Sequence, residues 1–129
     1  MTESIRVEGY HGLLNVGGVD YRHDIFIHAD GSVSDRNCGC SPSLREQLPA
    51  SYRNEYIHTP LAEYELGFLQ DERPEVVIVG AGFLGMMPVT PKARKILADY
   101  EHHVLTTPEA MKLVNEEHRK FVAILHITC

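Results

Sequence analysis

The sequence predicts an α/β fold: a single compact three-layer domain with a central mixed sheet and an N-terminal β-ribbon or hairpin. Three observations predict it. Thr-Pro recurs three times from residue 59 onward, each time ahead of a helical pattern, with apolar runs between. Before residue 36, short β patterns alternate with turns instead. A chain of 129 residues, 43% of them apolar, has the size and composition of one domain with one core.

The N-terminal part, about residues 5–35, reads as a β-ribbon. Ile5, Val7 and Leu13–Val16 suggest short strands, and Gly17-Gly18 supplies a hairpin turn because glycine reaches positive φ without steric cost. Val19–Tyr21 returns from that turn. Ile25 and Ile27 alternate with Phe26 and His28, and Asp30-Gly31 marks a tight turn before Val33. Residues 36–58 read as a long polar loop interrupted by prolines, with a short helix around 44–48 compatible with the pattern.

Residues 59–129 read as an αβαβαβ core. Thr59-Pro60, Thr90-Pro91 and Thr107-Pro108 each open a helix, since threonine caps free N–H groups and proline suits a first turn. Leu61, Tyr64, Phe68 and Leu69 give the first apolar stripe. Ala93, Ile96, Leu97 and Tyr100 give the second, and Ala110, Leu113 and Val114 the third. Val76–Val79, His103–Thr106 and Phe121–Ile127 are the strands between and after them. The first and last of these are apolar and β-rich, as in strands covered on both faces.

Composition narrows the function classes. A formal charge of −6 argues against a general nucleic-acid backbone binder. No stretch reads as a membrane span, because the longest apolar run, Val76–Val89, is interrupted by three glycines and a proline. The beginning MTESIRVEGY lacks the pattern of a secretory signal, and three cysteines give no disulfide framework. These features predict a cytoplasmic protein.

One motif invites a chemical reading. Gly80-x-Gly82-x-x-Gly85 follows an apolar strand, as in dinucleotide-binding folds. The mechanics of such a site are missing. Pro88 delays the helix to Thr90, so no helix N-terminus faces a pyrophosphate, and the next strand closes on Thr106-Thr107 without a carboxylate. What remains is a glycine turn beyond a strand's carboxyl end, where the N–H groups of residues 80–83 are candidates for a small anion.

Other candidate chemistry is incomplete. Cys38-Gly39-Cys40 is one close pair where zinc uses two, and no second pair follows. His102 and His103 are adjacent on an extended segment and point to opposite faces. His126, between Leu125 and Ile127, reads as a core or edge histidine, although Cys129 lies near it in sequence. Asp24 and Asp30 bracket a turn, and Asp30-Gly31 is explained by the turn itself. Arg119 reads as a cation at a helix C-terminus or as an anion holder. No cofactor and no metal is expected.

The segments DIFIHADGSV (24–33), PEVVIVGAG (74–82), TTPEAMKLVNE (106–116) and HRKFVAILHITC (118–129) together resemble the MTH-type domain family. That family includes the adipogenesis-associated domain protein and relatives of the mitochondrial NADH dehydrogenase (complex I) assembly factor. The ending AILHITC is most similar to the archaeal and adipogenesis-associated branches. The resemblance implies one α/β domain in about three layers and no assigned reaction. Its recurrent positions fall here on Asp24, Asp30, Gly31, Gly80, Gly82, Thr107, Ala110, Asn115 and Arg119. Ala81 stands where the family has threonine, Val114 where it often has tyrosine, and His118 where a glycine usually precedes the arginine.

Two functional expectations result. The leading one is a non-enzymatic module that binds an unknown protein partner or acts in assembly, with homo-oligomerisation through ribbon edges as a further option. The alternative is a small-molecule or anion binder, or an enzyme, with a ligand pocket formed by Gly80, Ala81, Gly82, Phe83, Thr107, Asn115 and Arg119. The first expects an exposed apolar patch on the ribbon or the 36–58 loop. The second needs its groups to converge on one concave pocket.

Overall fold

A computed structural model describes residues 6–36 and 60–128. The order is β1 (Val7–Tyr10), β2 (Leu13–Val16), β3 (Val19–Tyr21), β4 (Ile25–Ile27) and β5 (Val33–Asp35), then a 3-10 turn at Glu63–Glu65 and a single helical turn, α1 (Leu69–Glu72). There follow β6 (Val76–Gly80), α2 (Pro91–Leu97), β7 (Glu101–Leu105), α3 (Thr107–Glu116) and β8 (Phe121–Leu125).

The strands form two sheets. β1, β2 and β3 make a three-stranded antiparallel ribbon, with the Gly17-Gly18 turn between β2 and β3. The central sheet has five strands in the order β5-β4-β8-β6-β7. Its β8, β6 and β7 are parallel, while β4 and β5 add antiparallel at one side, so the sheet is mixed.

Strand alternation explains the three layers. Val76 and Ile78 of β6 face a core shared with Ala123 and Leu125 of β8, Val7, Leu14 and Val16 of the ribbon, and Ala110, Met111 and Val114 of α3. Val77 and Val79 face the other core, with Val122, Ile124, Leu61, Leu66, Leu69, Ala93 and Leu97. All five residues of β6 are buried, which is why this strand reads as an unbroken apolar run.

Helix starts follow local chemistry with two corrections. Thr90 is the N-cap of α2, accepting from the Ala93 N–H at 3.1 Å, with Pro91 in the first turn. The cap of α3 is Thr106 and not Thr107, which is already helical. The helix expected after Thr59-Pro60 is replaced by the 3-10 turn and the one-turn α1. Leu61 is drawn into a parallel bridge with Val89: its N–H donates to the Pro88 carbonyl at 2.8 Å and its carbonyl accepts from the Thr90 N–H at 3.0 Å. Those bonds require extended backbone where the apolar spacing alone suggests a helix. β7 begins at Glu101, so His102 and His103 lie inside it, and β8 ends at Leu125, which leaves His126 just beyond. The 36–58 loop apart from Arg36, and Cys38, Cys40 and Cys129, lie outside the described residues.

Candidate functional site

The glycine turn is built to close the sheet. Gly80 ends β6, and a Cβ there would stand 3.0 Å from Leu125 Cδ2, 3.0 Å from Thr107 Oγ1 and 3.1 Å from Thr107 Cα. Glycine is therefore the residue that lets the start of α3 lie against β6. Gly82 and Gly85 have φ of 102° and 68°, conformations that side chains with a Cβ rarely adopt.

The N–H groups of residues 81–83 are already bonded. Ala81 donates to the Leu105 carbonyl at 2.7 Å, Gly82 to Thr107 Oγ1 at 2.9 Å, and Phe83 to the Thr128 carbonyl at 2.7 Å. The Thr107 hydroxyl in turn donates to the His126 carbonyl. Thus Gly80, Ala81, Gly82, Phe83 and Thr107 do come together, but as a closed hydrogen-bonded junction.

Asn115 and Arg119 do not join them. Asn115 lies against the ribbon: its Oδ1 accepts from the Val7 N–H at 2.7 Å and its Nδ2 donates to the Val7 carbonyl at 2.8 Å. Arg119 lies two residues before Phe121, the β8 residue that pairs with Val76, at the end of the sheet opposite Gly80. Its guanidinium donates to Glu101 Oε2 at 2.7 Å and to Glu117 Oε1 at 2.9 Å. Hydrogen bonds from Arg119 hold the carboxyls of Glu101 and Glu117 below their ordinary range. The seven residues of the expected pocket thus occupy three separate places.

The turn presents side chains instead. Leu84 is 72% exposed and Met86 46%, while Tyr10 on the neighbouring hairpin is 66% exposed. The His11 and Phe83 rings lie 6.1 Å apart, and the Gly12 N–H donates to the Ile127 carbonyl at 2.7 Å. These contacts bring the tip of the β1–β2 hairpin to the glycine turn, where Phe83 packs and Leu84 and Met86 stand exposed beyond the carboxyl end of β6.

His126 and Ile127, which follow β8 toward this turn, also reach a buried ionic cluster. Arg36 Nη1 donates to Asp24 Oδ2 at 2.7 Å, while its Nε and Nη2 donate to the two oxygens of Glu65 at 2.8 and 3.1 Å. Nη2 also donates to the Pro60 carbonyl at 3.0 Å. The Arg36 side chain is 1% exposed, so sequence reasoning that places it at the start of a polar loop misses its role. Asp24 accepts further from His126 Nδ1 at 2.8 Å and from the Ile127 N–H at 3.0 Å. Burial pushes the Asp24 carboxyl up, but the His126 bond, Arg36 and the Ile127 N–H outweigh it and hold it low. Burial likewise opposes the Arg36 charge, and Glu65 and Asp24 overcome it.

A second histidine lies beside α1. His28 Nδ1 stands 2.7 Å from Glu72 Oε2, and His28 Nε2 stands 2.7 Å from Ser34 Oγ. The other Glu72 oxygen accepts from the Ala29 N–H at 2.8 Å. The Phe68 ring packs edge-on at 5.3 Å from the imidazole. An open cavity of about 450 Å³ borders this group, lined by His28, Ala29, Asp30, Ser32, Asp71, Glu72 and Lys120. Asp30 accepts from the Ser32 N–H and hydroxyl at 2.9 and 2.6 Å, the turn expected there, and these bonds hold its carboxyl low. Only tertiary contact joins His28 to a glutamate 44 positions away, so no local signal marks the pair.

No protein-family model matches the chain. No curated protein matches it either. Solved structures do. The conserved hypothetical protein PH1505 from Pyrococcus horikoshii OT3 is 29% identical, covering 95% of this chain and 98% of its own, with a TM-score of 0.76. A Mth938-like domain protein from Bordetella pertussis is 24% identical over 95% of this chain and 85% of its own, with a TM-score of 0.55. MT938 is 34% identical and covers 98% of this chain and 100% of its own, with a TM-score of 0.71. Among these relatives no specific biochemical function is indicated. With its three-layer fold and this likeness over nearly its whole length, the chain belongs to the Mth938-like family.

Proposed function

We propose that this chain is a protein-binding module of the assembly type, working as one domain across residues 1–129, and that its contact surface is the apolar rim at the glycine turn. The observation that carries the reading is the exposure of Leu84 and Met86, 72% and 46%, on a turn whose backbone is engaged elsewhere. Large apolar side chains grouped at a rim and held by a rigid turn are what a partner's surface covers. Phe83, half-buried beside them, adds the aromatic surface that such interfaces favour.

The reading takes further support from the family resemblance. The adipogenesis-associated branch is similar in its C-terminal segment, and the complex I branch acts through protein contacts in assembly. Cytoplasmic placement is part of the proposal and is consistent with an odd, small cysteine count. Among the described residues no helix is long and apolar enough to cross a membrane.

The test compares the wild-type chain with the double variant Leu84→Asp/Met86→Asp in co-purification from native cells, read by mass spectrometry. Circular dichroism should be unchanged. Partners retained by the wild type and lost by the variant support the rim. Equal capture by both chains overturns it. Light scattering over a concentration series identifies the partner as a second copy if mass rises for the wild type alone.

A further inference from the structure

We infer that Ser34, His28 and Glu72 form a nucleophilic site for small carboxylic esters, on the face of the sheet covered by α1 and separate from the rim proposed above. Ser34 and His28 are the catalytic residues and Glu72 positions His28.

The geometry assigns the roles. A carboxylate can only accept, so His28 Nδ1 carries the proton and donates to Glu72 Oε2 at 2.7 Å. In the neutral ring Nε2 is then an acceptor, and the Ser34 hydroxyl donates to it at 2.7 Å. A hydroxyl bonded to a base, with that base oriented by a third group, is the arrangement that activates serine. The orienting group is itself fixed, because Glu72 Oε1 accepts from the Ala29 N–H at 2.8 Å. Phe68, edge-on at 5.3 Å, further limits the ring's rotation.

Position matches chemistry. His28 and Glu72 line an open cavity of about 450 Å³, room for a small substrate. Ser34, exposed on β5, does not itself line it but stands 2.7 Å from the His28 ring that does. Lys120 lines the same cavity, a cation available to an oxyanion. Asp30 and Asp71 make the remaining wall acidic, which favours a neutral or cationic ester over an anionic one. The other histidine relay, from Asp24 through His126 Nδ1 to Thr128 Oγ1 at 3.2 Å from Nε2, is longer and ends in a bulkier secondary alcohol.

The reaction balances with water as its only further reagent. Ser34 Oγ bonds to the ester carbonyl carbon as its proton passes to His28 Nε2. The bond to the alkoxy oxygen breaks, and that oxygen leaves as the alcohol with the proton from His28. Water then attacks the acyl-serine, His28 takes and returns one proton, and the carboxylic acid leaves with Ser34 restored.

The test uses a fluorophosphonate probe on the full chain, with the labelled peptide sequenced by mass spectrometry. There the Oγ–P bond forms, fluoride leaves and His28 takes the proton. Labelling is expected on Ser34, at a rate about 100-fold lower in Glu72→Gln and His28→Gln. Glu72→Asp, which keeps a carboxylate acceptor, should recover part of the rate lost in Glu72→Gln, which a bracing role alone would not require. Absence of label on Ser34 of the folded wild type overturns the site. So does label whose rate is equal in the wild type and both glutamine variants. Because the decisive reading is made on the wild type, misfolding of a variant leaves the test intact. The label is read on the purified chain with no partner present, so failure of the rim and failure of this site are distinguishable.

Discussion

The Gly82 N–H donates to the hydroxyl of Thr107 at 2.9 Å, and that same hydroxyl donates onward to the His126 carbonyl. One buried side chain thereby joins the ends of β6 and β8 to the first turn of α3. Thr107→Val keeps the shape and removes both bonds. It should cost about 1–3 kcal/mol for each group left unsatisfied, read by urea denaturation. Thr107→Ser should stay close to the wild type.

Gly80 and Gly67 should respond in opposite directions to alanine. At Gly80 the added methyl meets Thr107 backbone at 3.1 Å, and destabilisation of about 1–3 kcal/mol is expected from overpacking. At Gly67 nothing stands within 4 Å. Alanine there should stabilise by roughly 0.4–1 kcal/mol through the unfolded chain, checked by the same denaturation experiment.

Asp24→Asn should remove about 3–5 kcal/mol at pH 7, because it breaks a buried pair and leaves Arg36 short of a partner. The pH dependence has a definite sign. The folded Asp24 carboxyl lies below its unfolded value, so its contribution is fully present above about pH 4 and is lost as pH falls through the folded value. Wild-type stability should therefore fall on acidification below pH ~4. The asparagine variant should have a shallower acid limb, measured by urea midpoints at successive pH values.

Arg119→Ala should lower the thermal midpoint only slightly, although Arg119 bonds to both Glu101 and Glu117. The Arg119 and Glu101 side chains are 44% and 51% exposed, so solvent and salt screen that pair, and only the bond to Glu117, 8% exposed, is expected to contribute. Scanning calorimetry of Arg119→Ala beside Arg36→Met tests the contrast, with a large drop expected only for the buried arginine.

The parts of this fold that are readable from the residues are those set by neighbours in the chain. Pro91 after Thr90 fixes the start of α2, Gly17-Gly18 fixes a hairpin, and the apolar run at Val76–Val79 announces a central strand. Distant pairing is not announced. Leu61 is extended because Val89 is beside it, and Arg36 is buried because Glu65 and Asp24 face it, 29 and 12 positions away. The expected ligand pocket shows the same limit. Its five residues around the turn do meet, but Asn115 and Arg119 follow β1 and β7, whose placement no local pattern specifies.

The two bonds from Asn115 to Val7 reproduce what a passing strand would offer, a carbonyl oxygen and an N–H from one amide. β1 is an outer strand of the ribbon, and such strands are where one molecule recruits another into a growing sheet. By placing a side-chain amide on that edge, α3 acts as a dead end for strand addition at Val7. The ribbon is thereby protected from domain exchange and fibril growth at the position where its hydrogen-bonding groups would otherwise be free.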